Sequence, residues 1–215
     1  MLKYPRIKHL FGSQGSRDDL FLSKEETEIL LRKPLVVQEK LDGANVGLFF
    51  EGDELKFLSR GGLIEDKKTP EQFKYLKMWA YERYMVLKEI LNNRYILFGE
   101  WLYFTHTIFY NKLPSYFIAF DLYDKESEKF LSYNKIIKIL GNKIPVVPLI
   151  WEGIIGSIEK LDEFLERKSL YGEEKIEGVV LREENKEYLI ERYKYKRKAF
   201  KPGLNFGKKH NILAL

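Results

Sequence analysis

Between Leu35 and Ser59 three strand-like runs follow one another with no helical stretch between them. Leu35–Glu39 and Asn45–Phe50 are joined by a short polar segment, and Glu51-Gly52-Asp53-Glu54 reads as a turn into Leu55–Ser59. Parallel neighbours need a crossover of about a dozen residues or more, usually a helix. These runs can therefore pair only antiparallel, which excludes a chain of alternating strand–helix–strand units.

The rest of the sequence fits that frame. Ser23-Lys24-Glu25-Glu26 has capping-box spacing and opens a short helix. Thr69-Pro70-Glu71-Gln72 starts the strongest helical pattern, capped by Thr69 and running to about Asn92. Tyr95–Leu102 and Tyr116–Tyr123 are apolar strands, Ser132–Leu140 is a helix ended by Gly141, and Lys143–Ile150 is a strand. Ser157–Lys168 is a capped helix, and Ile176–Arg182 with Tyr188–Lys198 forms a last strand pair around Glu184-Asn185. The expected class is α+β, with mostly antiparallel sheets flanked by helices, in a single domain over 1–215 with a basic tail and no separate barrel domain.

The chain has no cysteine, so disulfides and thiolate metal sites are excluded, and its three histidines (His9, His106, His210) are far apart in sequence. No run reaches membrane-spanning length and no apolar leader is visible, so a soluble, cytoplasmic protein is expected. The formal net charge is +5, and the basic residues Arg192, Lys194, Lys196, Arg197, Lys198, Lys201, Lys208 and Lys209 follow one another without an acid among them. Such a stretch suits polyphosphate or a nucleic-acid backbone, or a solvated edge strand.

Six polar clusters punctuate the apolar runs. In Glu39-Lys40-Leu41-Asp42-Gly43-Ala44-Asn45, a lysine is followed by an acid on the same face of an extended segment and by a glycine that lets a ligand approach the backbone. A lysine becomes a nucleophile when burial or nearby cations lower its pKa. Ser59-Arg60-Gly61-Gly62 suits a loop that grips a phosphate, and also a plain turn. Glu100 lies inside an apolar strand, where a carboxylate is costly without a partner. Phe120 in Ile118-Ala119-Phe120-Asp121 is core or a base-stacking ring, and Glu177 opens the strand Gly178-Val179-Val180 beside a glycine. In Arg192-Tyr193-Lys194-Tyr195-Lys196 the period of two places both lysines on one face and both tyrosines on the other.

In this order and spacing the clusters resemble the collinear motifs of the covalent nucleotidyltransferases, which comprise ATP-dependent DNA and RNA ligases and capping enzymes. The likeness is strongest to RNA ligases related to RNA ligase 2 of phage T4: the segment from Gly99 to Pro114 and Asn45 extend it beyond the core motifs, and it spans roughly residues 4 to 201. The resemblance implies an ATP-grasp-like nucleotidyltransferase domain that uses ATP and Mg2+ or Mn2+. Lys40 would form the phosphoramidate with AMP; Arg60 and Asn45 would contact the nucleotide or a 5′-phosphate; Glu100 would bind ribose; Phe120 would stack on adenine; Glu39 would line the adenine pocket. Glu177 and Asp42 would contact the metal, Lys194 and Lys196 would hold the triphosphate, and Arg60, Arg192, Arg197 and Lys198 would contact nucleic acid. His106 would be structural or near the substrate.

The implied partner is RNA bearing 5′-phosphate and 3′-hydroxyl ends, including a nicked duplex. Lys194, Lys196 and the metal are expected to favour the neutral amine of Lys40. Only the catalytic domain and a basic tail are expected here: the protein would seal with this domain alone, form the lysyl-AMP and need help for later steps, or be a piece of a longer ligase, and a homodimer is one source of the missing surface. A DNA ligase, a capping enzyme and a nucleic-acid end-binding protein without catalysis are the alternatives.

Overall fold

The computed structural model describes residues 3–65, 69–207 and 209–214. Its elements run β1 (Lys8–His9), α1 (Lys24–Leu31), β2 (Pro34–Lys40), β3 (Ala44–Glu51), β4 (Glu54–Ser59), β5 (Gly62–Leu63), α2 (Glu71–Glu82), α3 (Tyr84–Leu91), β6 (Tyr95–Trp101), β7 (Phe117–Asp124), β8 (Lys129–Phe130), α4 (Tyr133–Leu140), β9 (Leu149–Ile154), α5 (Ile158–Leu165), β10 (Gly178–Glu184) and β11 (Leu189–Lys196). They build two sheets, a five-stranded one in the order β1-β11-β10-β2-β9 and a six-stranded one in the order β5-β4-β3-β6-β7-β8. All strand pairs are antiparallel except β1 with β11, so the α+β expectation holds.

Alternation along each strand decides where the cores form. Leu35 and Val37 of β2, with Val179 and Leu181 of β10, pack on Leu30 and Leu31 of α1 and Phe164 of α5. Val46, Leu48 and Phe50 of β3 face Leu76 and Trp79 of α2 and Leu87 and Leu91 of α3. The opposite faces of the two sheets look at each other, with Phe49, Ile96 and Phe98 between them. The helices therefore cover the outer faces, and the polar clusters are left on the inner ones.

Ser23 forms the predicted capping box with Glu26. The single helix expected to Asn92 is broken at Arg83, whose φ of −110° and ψ of 16° are not helical. Pro70 takes the cap position expected for Thr69, and the Thr69 hydroxyl donates to the Glu65 carbonyl at 2.7 Å. The strand expected over 143–150 begins only at Leu149; before it, Val146 makes a single parallel bridge to Ala119. The stretch after β11 is no loose basic tail: it lies along residues 102–113, bridging Phe104 to His210 and Leu113 to Leu213. Lys208 lies outside the described residues. No helix among the described residues is long and apolar enough to cross a membrane.

Candidate active site

A cleft of about 890 Å3 opens between the inner faces of the two sheets. Its floor on the five-stranded side is a ladder of three strands in register. Lys40 of β2 stands opposite Gly178 of β10, which stands opposite Lys196 of β11; one step along, Gln38, Val180 and Lys194 repeat the pattern. Gly178 has no substitute at this junction, because a Cβ there would lie 2.4 Å from the Tyr195 carbonyl. Tyr195 is buried among the outer-face residues, as the period of two predicts.

Glu177 joins two of these lysines. Its Oε2 lies 2.6 Å from Lys40 Nζ, and its Oε1 lies 3.4 Å from Lys196 Nζ. Burial alone would lower the pKa of Lys40, but Glu177, Glu100 and Asp42 outweigh it and hold the ammonium above its usual range. In the free site Lys40 is thus held as an ammonium, with Glu177 the carboxylate in direct contact with it. Lys194 behaves oppositely. Burial, with Lys40 and Lys196 nearby, lowers its pKa, although Asp19 lies 3.5 Å away.

The six-stranded sheet supplies the other wall. Glu100 and Asn45 are register partners on β6 and β3, and both line the cleft. Glu100 Oε1 accepts from the Gly43 N–H at 3.1 Å. Burial, reinforced by Glu177 and Asp42 and opposed by Lys40, pushes the Glu100 carboxyl up to about 8. Gly43 fits only as glycine, since a Cβ would lie 2.6 Å from the Trp101 carbonyl. Arg60 is exposed on the turn between β4 and β5, at the cleft rim.

Phe120 reaches the cleft through an irregularity. The β6–β7 register slips between Phe98 and Gly99, which pair with Asp121 and Ala119, so Phe120 is the extra residue of a bulge. Simple alternation would send Phe120 and Asp121 to opposite faces; the bulge lets both line the cleft. Tyr4, from the segment before β1, packs edge-on against Phe120 with ring centroids 5.3 Å apart.

Three of the expected contacts take other positions. Arg192 is 4% exposed and pairs with Asp121, with Phe130 under its guanidinium at 4.0 Å. It is a structural cation of the inter-sheet core and no surface contact for nucleic acid. Asp121 also accepts from Arg182 Nη1 at 2.5 Å and from the Tyr4 hydroxyl at 2.5 Å. Asp42 does not line the cleft; its Oδ2 accepts from the backbone N–H groups of Thr107 and Ile108 at 2.7 and 2.9 Å. The Glu39 backbone borders the cleft, but its carboxylate points to the outer face with its register partner Val179, near the Leu170 N–H. Burial pushes Glu39 up to about 7, and its Oε1 has no hydrogen-bond partner. Arg197 donates to the Ile176 carbonyl at 3.2 Å, and Lys198 is exposed.

Tyr4, Arg182 and Asp19 were not singled out from the sequence, because their roles depend on a segment far from the motifs and on strand register. The sequence turn at Glu184-Asn185 would have set Arg182 opposite Glu187; a longer connection and a bulge between Glu183 and Glu184 set it opposite Arg192 instead. Two facing arginines at the centre of a sheet require a buried acid.

The carboxylates are compatible with a divalent cation held mainly by a nucleotide. Among the described residues no cluster of three or more acidic or imidazole groups forms a cage. A magnesium ion with one or two carboxylates plus substrate phosphates needs none, and Glu177, placed between two lysines, would be such a carboxylate.

Solved structures share this fold. A chain assigned as an ATP-dependent DNA ligase from Aquifex aeolicus is 25% identical with a TM-score of 0.58, over 91% of this chain and 50% of its own length. The RNA ligase of Naegleria gruberi with pyrophosphate is 19% identical with a TM-score of 0.62, over 93% of this chain and 61% of its own. An archaeal ATP-dependent RNA ligase is 17% identical with a TM-score of 0.59, over 90% and 48%. This chain thus spans about half to three-fifths of the ligases it matches. Among curated proteins none is similar enough to match. The family model described as RNA ligase matches residues 33–201, from β2 through the last strand of the lysine ladder, and the chain belongs to the RNA ligase family.

Proposed function

We propose that this chain attaches AMP to Lys40 and, as an ATP-dependent RNA ligase, passes it to a 5′-phosphate and seals that end to a 3′-hydroxyl. The observation that carries this reading is the bridge of Glu177 between Lys40 and Lys196, with Lys40 lining a cleft large enough for a nucleotide. The Naegleria ligase has been captured with ATP and manganese, which supports ATP and a divalent ion as co-substrates here.

In the first step Lys40 Nζ, once its proton has left, bonds to the α-phosphorus as the bond to pyrophosphate breaks. Glu177 Oε2 lies within reach of that proton. Lys194 and Lys196 face charge developing on the departing phosphates, the arrangement that lowers barriers in phosphoryl chemistry. A bound metal supplies charge neutralisation on the phosphate oxygens. Glu100 and Asn45 stand where a ribose would lie, Phe120 offers a stacking face for the base, and Arg60 stands at the rim where a 5′-phosphate would enter. RNA with 5′-phosphate and 3′-hydroxyl ends, nicked duplexes included, is the proposed partner, and the cytoplasm the proposed compartment.

The test is incubation with α-labelled ATP and magnesium, followed by denaturing electrophoresis. Label is expected on the unaltered chain and absent from Lys40→Ala. No label on the unaltered chain, or label persisting on the variant, overturns the assignment. Nicked duplexes of RNA and of DNA with 5′-phosphate ends then separate the RNA reading from that of a DNA ligase, which the Aquifex likeness keeps as the second.

A further inference from the structure

We infer that Asn211 is a positioning residue for the nucleophile loop, acting through the loop at 105–110 and resting on the reading of Lys40 given above. Asn211 is 1% exposed and uses its whole amide. Its Oδ1 accepts from the Thr105 hydroxyl at 3.0 Å and from the Tyr110 N–H at 2.9 Å. Its Nδ2 donates to the carbonyls of Leu102 and Phe104 at 2.8 and 3.4 Å. One side chain thus closes both ends of the segment that follows β6. A hydrocarbon of the same shape would leave those buried backbone groups without partners.

That segment in turn grips the residues just beyond Lys40. The Thr107 and Ile108 N–H groups donate to Asp42 Oδ2, and the Tyr110 hydroxyl accepts from the Asp42 N–H at 2.9 Å. Asp42 is therefore held from both its backbone and its carboxylate, two residues from the nucleophile. Neighbouring groups add to the brace: the Thr105 N–H donates to the Lys209 carbonyl at 3.0 Å, and the Asn205 side-chain Nδ2 donates to the Thr107 carbonyl at 2.8 Å. Phe206 closes over His106 with ring centroids 4.9 Å apart. Neither Asn211 nor Asn205 lines the cleft, so neither touches nucleotide. Their contribution is geometric: an attacking nitrogen misplaced by about 1 Å loses on the order of a hundredfold in rate.

The experiment compares the unaltered chain with Asn211→Leu and the milder Asn205→Ala, below the melting temperature of each. Lysyl-AMP formation at saturating ATP is expected to fall at least tenfold in Asn211→Leu and about threefold in Asn205→Ala, with the KM for ATP changed less than twofold. Hydrogen exchange gives a readout independent of chemistry: the amides of Asp42, Thr107 and Ile108 should exchange faster in Asn211→Leu, while those of β10 and β11 do not change. If both variants adenylylate at the unaltered rate, or exchange at Asp42 is unmoved, the inference is wrong. Should Asn211→Leu not fold, Asn205→Ala decides by the same two measurements. Failure of the unaltered chain to form lysyl-AMP would sink the ligase reading instead, and the exchange at Asp42 would still decide whether Asn211 braces it.

Discussion

Lys40 Nζ lies 2.6 Å from Glu177 Oε2, so the free site stores its nucleophile as an ammonium. Glu177 is one of the groups that hold that proton, against the burial that would release it. Adenylylation should therefore quicken as pH rises toward the raised pKa of Lys40. In Glu177→Gln the partner charge is gone, and the acid limb of the rate profile should move down by about one unit or more. Absolute activity should fall in the same variant, because Lys196 also loses its partner. A pH profile of lysyl-AMP formation that keeps its acid limb in place would contradict the role given to Glu177.

Much of this site was legible in the residues themselves. The face shared by Lys194 and Lys196 follows from a period of two, and Glu100 inside an apolar strand signalled a buried acid with work to do. Other features needed register. Phe120 and Asp121 line one cleft only because a bulge adds a residue to β7, and no local pattern distinguishes a bulged pair from an alternating one. The resemblance implied a metal contact for Asp42, yet two backbone amides from a loop more than sixty residues away donate to its Oδ2. The break at Arg83 escaped because apolar residues keep helical spacing across it.

Glu39 makes stability itself pH-dependent. Its pKa is raised by burial to about 7, whereas in the unfolded chain it is near the ordinary value of about 4.3. Between those values the folded state binds more protons than the unfolded one, so stability falls as pH rises through this window. The full loss reaches about 4 kcal/mol above pH 7. Glu39→Gln should flatten the slope of denaturation midpoint against pH between about 4.5 and 7. Glu100 acts in the same sense up to about pH 8, leaving a residual slope.

Gly43→Ala tests whether the nucleophile loop tolerates a side chain. The added carbon would meet the Trp101 carbonyl at 2.6 Å and Leu102 Cδ2 at 2.7 Å, so the backbone must move. That movement takes the Gly43 N–H from Glu100. A loss of about 1–3 kcal/mol in stability is expected, with slower adenylylation in the folded fraction. An alanine variant as stable and as fast as the unaltered chain would show that the loop relaxes without consequence.

Arg182 and Arg192 meet on Asp121, and this triad ties the two walls of the cleft together. Burial raises the Asp121 pKa, but the two guanidiniums and the Tyr4 hydroxyl more than reverse that and hold it below the usual range. An acid with a depressed folded pKa contributes stability above its unfolded value of about 3.9 and loses it as pH falls through the folded one. Asp121→Asn leaves Arg192 without its carboxylate and Arg182 with only Glu184, whose Oε2 lies 3.6 Å from its Nη2, which should cost about 3–5 kcal/mol. Arg182→Met leaves Asp121 with Arg192 and the Tyr4 hydroxyl, and should cost less. The double variant Asp121→Asn, Arg182→Met should be more stable than Asp121→Asn alone, because it removes one of the two cations that share Asp121. Chemical denaturation of the three variants at pH 7 measures the coupling directly. Additive losses would mean that the cations are solvated independently and that the triad does not join the sheets.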